Sequence, residues 1–393
     1  MRPLQRLLLS IFALALNCGT MAVAQKSASP ALIVDKINDS QLVTLRGNTH
    51  PAANAQNDLG RVASNLPMSD LILVLKRSPE QQAAFDAFVA SQYDSSSPNF
   101  HHWLEAAEIG ERFGPSPADI AAISNWLSQS GFSVDEISQD RMTIRFGGSA
   151  SQVQRTFHTA IHNLSVKGER HIGNMSDPQI PMALEPVVAG VKSLHNFYPR
   201  PLHRLGSKAS LNKDTGKWER IGGGLSGTPG IHANAAKPRP ELGITIGTGS
   251  SAYLVEDVAP YDFAAIYNVL PLWNAATPID GTGQTIAIVG TSRVLPADVA
   301  SFRSLFGLPA TPAFTTVLAT ATDPGLCTNN TTTSPFCTLD DQVENALDVE
   351  WSGAVAKKAQ VVLVVSGATT ASTDTVYLSA NYAIQHNTAK ILT

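Results

Sequence analysis

Two runs of nearly uninterrupted apolar residues constrain this chain more than any other feature. They are Thr285-Ile286-Ala287-Ile288-Val289-Gly290 and Gln360-Val361-Val362-Leu363-Val364-Val365. A strand with one wet face alternates apolar and polar residues. A strand without that alternation is covered on both faces, as in a parallel sheet. Helical patterns over 296–306, 339–356 and 372–386 separate these strands from each other and from Lys390-Ile391-Leu392, which begins a third. The alternation predicts an α/β unit with a parallel sheet over 255–393. The chain stops inside the third strand, which leaves an open sheet edge. The sequence is therefore expected to be a fragment.

The front of the chain has a different rhythm. Its 393 residues suggest two or three domains, and 43% hydrophobic content supplies their cores. Leu71–Leu75 reads as a strand, and Pro79 opens a helix carrying Phe85, Phe88 and Val89 on one face. Ser116 caps a second helix with Ile120, Ile123, Trp126 and Leu127, which Gly131 stops. Residues 132–137 and 142–146 read as paired strands, with a short helix from Ser149 and a strand over 158–166. Residues 184–188 look helical and 191–194 extended. This order predicts an α+β domain over 60–198, an antiparallel sheet with helices on one face. Residues 25–59 form a polar extension with few signals. Residues 199–254, with Gly222-Gly223-Gly224 and scattered prolines, read as an exposed linker open to proteolysis.

Arg2 and Arg6, the apolar run Leu7–Leu16 and Ala22-Val23-Ala24 have the layout of a secretory signal over 1–24, with a buried helix as the alternative. Cys18 would leave with it. No later stretch of about 20 apolar residues suits a membrane span. The whole chain carries net charge -4, which argues against nucleic-acid binding. Residues 255–393 hold 5 Lys/Arg against 12 Asp/Glu, whereas 25–254 hold 21 against 20. The two units could attract each other, or the difference could be plain surface variation. In an exported protein, Cys327 and Cys337 are expected to form a disulfide closing a polar loop.

The segment Leu339–Trp351 carries the candidate chemistry. Glu344 and Asp348 stand at i and i+4, on one helix face. Two like charges screened from water raise the pKa of one carboxyl, and a pair sharing a proton works as acid or base at low pH. A bare E-x-x-x-D is also compatible with a solvated acidic face.

Glu344-Asn345-Ala346-Leu347-Asp348-Val349-Glu350, followed by 354–365, resembles the catalytic helix and next strand of the sedolisin (serine-carboxyl) peptidases. Glu108–Ser116, Ala150–Thr159, Gly168–His171, Asp177-Pro178 and Ile180-Pro181 look like the pro-kumamolisin activation domain. The resemblance implies a ferredoxin-like prodomain followed by part of an α/β subtilisin-like parallel-sheet domain. It implies a secreted precursor of an acid-active serine-carboxyl endopeptidase acting on peptide or protein substrates, with the prodomain packed on its own catalytic domain. By match, Glu344 is the general base and Asp348 its partner. The family's serine, oxyanion aspartate and calcium site would lie beyond Thr393, so this chain alone is expected to be inactive.

Gly290-Thr291-Ser292 has the letters of the family's nucleophile motif but follows an early strand, so it is rejected as the nucleophile. The same position offers no carboxylate and the helix no histidine, which argues against a Ser-His-Asp site. His101, His102, His158, His162 and His171 lack zinc spacing. Charging in acid could instead make them loosen the prodomain. The alternative function is an inactive remnant whose prodomain binds or inhibits a related peptidase.

Overall fold

The computed structural model describes residues 30–201, 258–327 and 337–393, and five strands between 208 and 257 as backbone. The expected signal lies outside the described residues. Among the described residues no helix is long and apolar enough to cross a membrane.

The N-terminal unit contains β1 (Leu42–Thr44), β2 (Asp58–Arg61), β3 (Pro67–Leu75), α1 (Pro79–Ser91), α2 (Ala106–Phe113) and α3 (Pro117–Gln129). β4 (Ser133–Ile137), β5 (Thr143–Ser149), α4 (Ala150–Phe157), β6 (Ile161–Val166), β7 (Glu169–Asn174), β8 (Gln179–Pro181) and β9 (Val188–Lys192) follow. The helix starts obey local capping chemistry. Ser78 and Gln81 exchange side-chain bonds with each other's backbone N–H, and Pro79 needs no donor there.

The main sheet is antiparallel in the order β4-β5-β3-β9. Leu71, Leu73, Ile144, Phe146 and Val191 turn one face towards α3 (Ile123, Trp126, Leu127) and α4 (Val153, Phe157). Helices α3 and α4 thus lie on one face, as the sequence suggests. A second sheet, β2-β6-β7, and the pair β1-β8 were not foreseen. Their strands are only three to six residues long, too short to declare a period. The strand expected over 158–166 starts at Ile161, because His158 takes a left-handed conformation (φ 51°) that ends α4. The helix expected over 184–188 is a 3-10 turn, Met182–Leu184, and then strand β9. The polar extension is tied in. Buried Asp119 accepts N–H bonds from Leu32 (3.0 Å) and Ile33 (2.8 Å) and the Ser116 hydroxyl (2.8 Å).

The stretch read as linker pairs its backbone. β10 (Lys208–Asn212) pairs with β11 (Lys217–Ile221), and β12 (Pro229–Ile231), β13 (Leu242–Ile246) and β14 (Tyr253–Asp257) form a second antiparallel sheet. Strands this short leave no hydrophobic period for the sequence to show.

The C-terminal unit runs α5 (Pro260–Ile266), α6 (Leu270–Trp273), β15 (Thr285–Gly290), α7 (Pro296–Leu305), β16 (Thr315–Leu318), α8 (Leu339–Val355), β17 (Gln360–Val365), α9 (Thr375–Gln385) and β18 (Ile391–Leu392). Its sheet is parallel, in the order β16-β17-β15-β18. Ile286, Ile288, Val361, Leu363 and Val365 pack with Val299 of α7 and Val349 of α8, whereas Ala287, Val362 and Val364 pack with Ala383 of α9. Both faces are covered, which is why the strands carry no polar alternation. The whole is a mixed α/β molecule with several sheets. Cys327 and Cys337 form the expected disulfide.

Buried Arg303 donates to the carbonyls of Pro309 (2.6 Å), Gly353 (2.9 Å) and Lys357 (2.7 Å). Two of these acceptors lie at the carboxyl end of α8, where a cation also suits the helix dipole. Arg303→Met keeps the stem but orphans the carbonyls. The expected loss of stability is about 3 kcal/mol, read from the denaturant midpoint. An unshifted midpoint would mean that water replaces these bonds without cost.

Candidate active site

Helix α8 places the two carboxylates. Thr338 caps it, its hydroxyl and N–H both donating to the Asp341 carboxylate (2.8 and 2.6 Å). At the other end Arg303 and the indole N–H of Trp273, which donates to Val355 O (3.0 Å), hold the last turn. The chain leaves β16 at its carboxyl end and enters β17 at its amino end. The first turns of α8 therefore lie near the carboxyl ends of the strands, where open α/β sheets bind ligands.

Asn345, Val349 and Gly353 form the ridge that meets the sheet, and all are buried. On a helical wheel Glu344 and Asp348 sit about 40° apart on one flank of that ridge. Both are half-buried. Burial, and then the charge of Glu344, push the Asp348 carboxyl above its ordinary value. Burial and a like charge, the two effects named above, thus act on Asp348.

Glu350, on the opposite flank, was missed. Burial and then Asp298 of α7 push its carboxyl up to about 7. No pattern of spacing marks it, because burial and the charge of Asp298 arise only in the folded packing. A carboxyl whose folded pKa is raised stabilises the fold below its ordinary range and loses that contribution as pH rises through about 7. Glu350→Gln should leave the melting temperature unchanged at pH 4. At pH 8 it should add about 1–3 kcal/mol. Equal effects at both pH values would mean that folding leaves the Glu350 pKa unshifted.

The outer face of the main sheet docks on the segment between β17 and α9. Asp70 sits at an irregularity in β3 with φ 57° and is 8% exposed. Its carboxylate accepts from Thr369 Oγ1 (3.0 Å) and Thr373 Oγ1 (2.8 Å) and pairs with Arg145 (3.1 Å). Ser372 Oγ donates to Ser69 O (2.9 Å), and Tyr198 Oη donates to Ser372 O (2.5 Å). Lys192 pairs with Asp374, the N-cap of α9, and lies over the Tyr377 ring at 4.1 Å. Arg145, Ile72 and Lys192 are register partners across β5, β3 and β9, so the period of two that buries Leu71 and Leu73 aims this row at the seam.

Beside Lys192 lies a ring cluster. Phe197 stacks on His50 (4.1 Å) and His171 (4.3 Å), with His195 5.3 Å from His50. Burial lowers the His195 pKa to about 4, helped by His50 and Lys192 and opposed by Asp374. A depressed folded pKa means stability that is complete above about 6.5 and lost as pH falls to about 4. Discounted for partial exposure, the loss is about 1–2 kcal/mol. His195→Gln should flatten that part of the stability–pH curve, and an unaltered slope would discard His195 as its source. Of the histidines singled out in the sequence, His171 belongs to this cluster. His162 pairs with Asp58 in the second sheet (2.7 Å). Among the described residues no three His, Cys, Asp or Glu side chains gather as a metal site.

Residues 54–197 match the family model described as the Pro-kumamolisin activation domain. Two curated proteins are similar. Xanthomonalisin from Xanthomonas sp. (strain T-22) is 26% identical over 243 residues, 62% of this chain and 25% of that protein. Sedolisin from Pseudomonas sp. (strain 101) is 24% identical over 141 residues, 36% of this chain and 24% of that protein. The matched region spans about a quarter of the length of either relative.

Proposed function

From the premise that this chain belongs to the sedolisin family and carries its activation domain, we propose that it is the precursor of an acid-active serine-carboxyl endopeptidase. The observation that carries the proposal is the half-buried pair Glu344–Asp348, with Asp348 raised by burial and by its neighbour. In the proposed mechanism a serine oxygen bonds to the scissile carbonyl carbon and its proton passes to Glu344. Glu344 then returns the proton to the leaving amine, and water hydrolyses the acyl-enzyme. Asp348 tunes the proton affinity of Glu344.

In this reading the nucleophile comes from outside residues 255–393. Ser292 is a poor candidate because it is fully buried and its hydroxyl accepts from Asn345. The described residues offer no set that fits the calcium ion expected from the family, and no step depends on it.

Residues 60–198 are the prodomain. The strand–helix–strand–strand–helix–strand path β3, α3, β4, β5, α4, β9 with spatial order β4-β5-β3-β9 supports a ferredoxin-like type. The parallel sheet sandwiched between α8 and α9 supports a subtilisin-like domain. Residues 1–24 direct export, and cleavage within 199–254 releases the prodomain. No separate observation favours the inactive remnant.

The test is proteolysis by the product of the whole reading frame, from about pH 3 to about pH 7. Peptide release that is greatest in acid and falls towards neutral supports the proposal. A flat profile, a rising one, or no release at any pH rejects it.

A further inference from the structure

Asn345 is the one amide on a ridge of α8 that packing alone would fill with apolar residues. It is 4% exposed, and a buried amide is costly unless bonded. Its Nδ2 donates to Ser292 O (2.9 Å) and Ser292 Oγ (3.0 Å), just beyond the carboxyl end of β15. Its amide lies against the Cα of Gly290, where an added Cβ would stand only 2.5–2.7 Å from it. From the other face of the sheet, Ser379 Oγ of α9 shares its proton between Gly290 O (3.1 Å) and Thr375 O (2.9 Å). The turn after β15 is thus gripped by both helices, and Asn345 is the grip of α8.

We propose that Asn345 is a positioning residue for the Glu344–Asp348 pair, fixing the rotation of α8 so that both carboxyls stay on the flank of the sheet-facing ridge. The inference rests on the reading of that pair as the proton-transfer site. Asn345 is next to Glu344 and about 60° from Asp348 around the helix axis. Turning α8 by about 20° would swing a carboxyl at its surface by about 2 Å. A misplacement of about 1 Å can cost about 100-fold in rate. The ends of α8 are pinned by Thr338 and by Arg303 with Trp273. Those caps limit sliding, whereas Asn345 grips the sheet-facing side, beside the carboxyls.

The test uses the intact protein and two variants. Asn345→Leu keeps the volume and removes the donors, while Gly290→Ala displaces the Asn345 amide from outside α8. Asp348 is titrated by carboxyl 13C NMR with and without Glu344→Gln. The charge that acts on it is that of Glu344, on its own face, whereas Glu350 feels Asp298 of α7 on the opposite flank. In the parent, Glu344→Gln should lower the Asp348 midpoint. In either variant that response should fall to about half or less, with the midpoint moving towards the ordinary range. In the enzyme made from the whole reading frame, kcat should drop about 100-fold, with KM nearly constant and the pH profile displaced.

An Asp348 midpoint and Glu344 response that are unchanged in a folded variant overturn the inference. So does a shifted midpoint with unchanged kcat. If Asn345→Leu does not fold, Gly290→Ala decides. Should Glu344→Gln in the parent keep full activity, the catalytic reading fails, while the titration still decides whether Asn345 sets the helix.

Discussion

Glu344→Gln is expected to abolish acid proteolysis while leaving the fold intact. The amide has nearly the shape of the carboxyl but cannot take a proton from a hydroxyl at any working pH. General-base catalysis is worth about 10²–10⁴-fold, so kcat should fall by about 10³ with KM nearly unchanged. Asp348 gives an internal control. Losing its repulsive neighbour, its carboxyl should titrate lower than in the parent, since Glu344's charge is one of the two causes of its upward shift. The measurement is a kcat–pH profile beside a thermal melt. A folded variant with parental activity would remove Glu344 as the base.

Asp70→Ala should have the second largest effect, on the seam between the units. Asp70 is buried, holds two threonine hydroxyls of the opposite unit and pairs with Arg145. Truncating one member of a buried, hydrogen-bonded charge pair costs about 2–5 kcal/mol, largely because the partner is left unpaired. The left-handed backbone at Asp70 adds to the loss, because alanine tolerates it less well than aspartate. Amide exchange over 366–374 should accelerate about 30-fold or more, while amides of β6 and β7, away from the seam, keep their rates. Equal rates in parent and variant would show that the seam does not depend on this anchor.

Much of the fold was legible because it follows from local rules. The parallel strands announced themselves by lacking polar alternation, and α8 by its spacing. The N-terminal helices showed their starts, Pro79 and the cap Ser116. What stayed hidden was set at a distance. Strands β1, β2 and β10 to β14 are too short for a period to appear. Glu350 owes its raised pKa to burial in the folded packing and then to Asp298 of a neighbouring helix. Asp70 reads as a polar residue before an apolar run, and only the irregularity in β3 and the hydroxyls of 369–373 make it an anchor. Glu344 and Asp348 were singled out by spacing and resemblance. Asn345, between them, looked like an ordinary polar position until Ser292 and Gly290 were seen beneath it.

Asp70 and Thr373 are 303 residues apart in the chain. While the polypeptide is continuous, the two units meet at a local concentration of about millimolar order. One hydrolysed bond between them would leave every contact in place yet make their encounter bimolecular. At about micromolar protein the same contacts would then hold roughly a thousandfold less well. Simple dilution after a single nick would therefore separate what the unbroken chain keeps together.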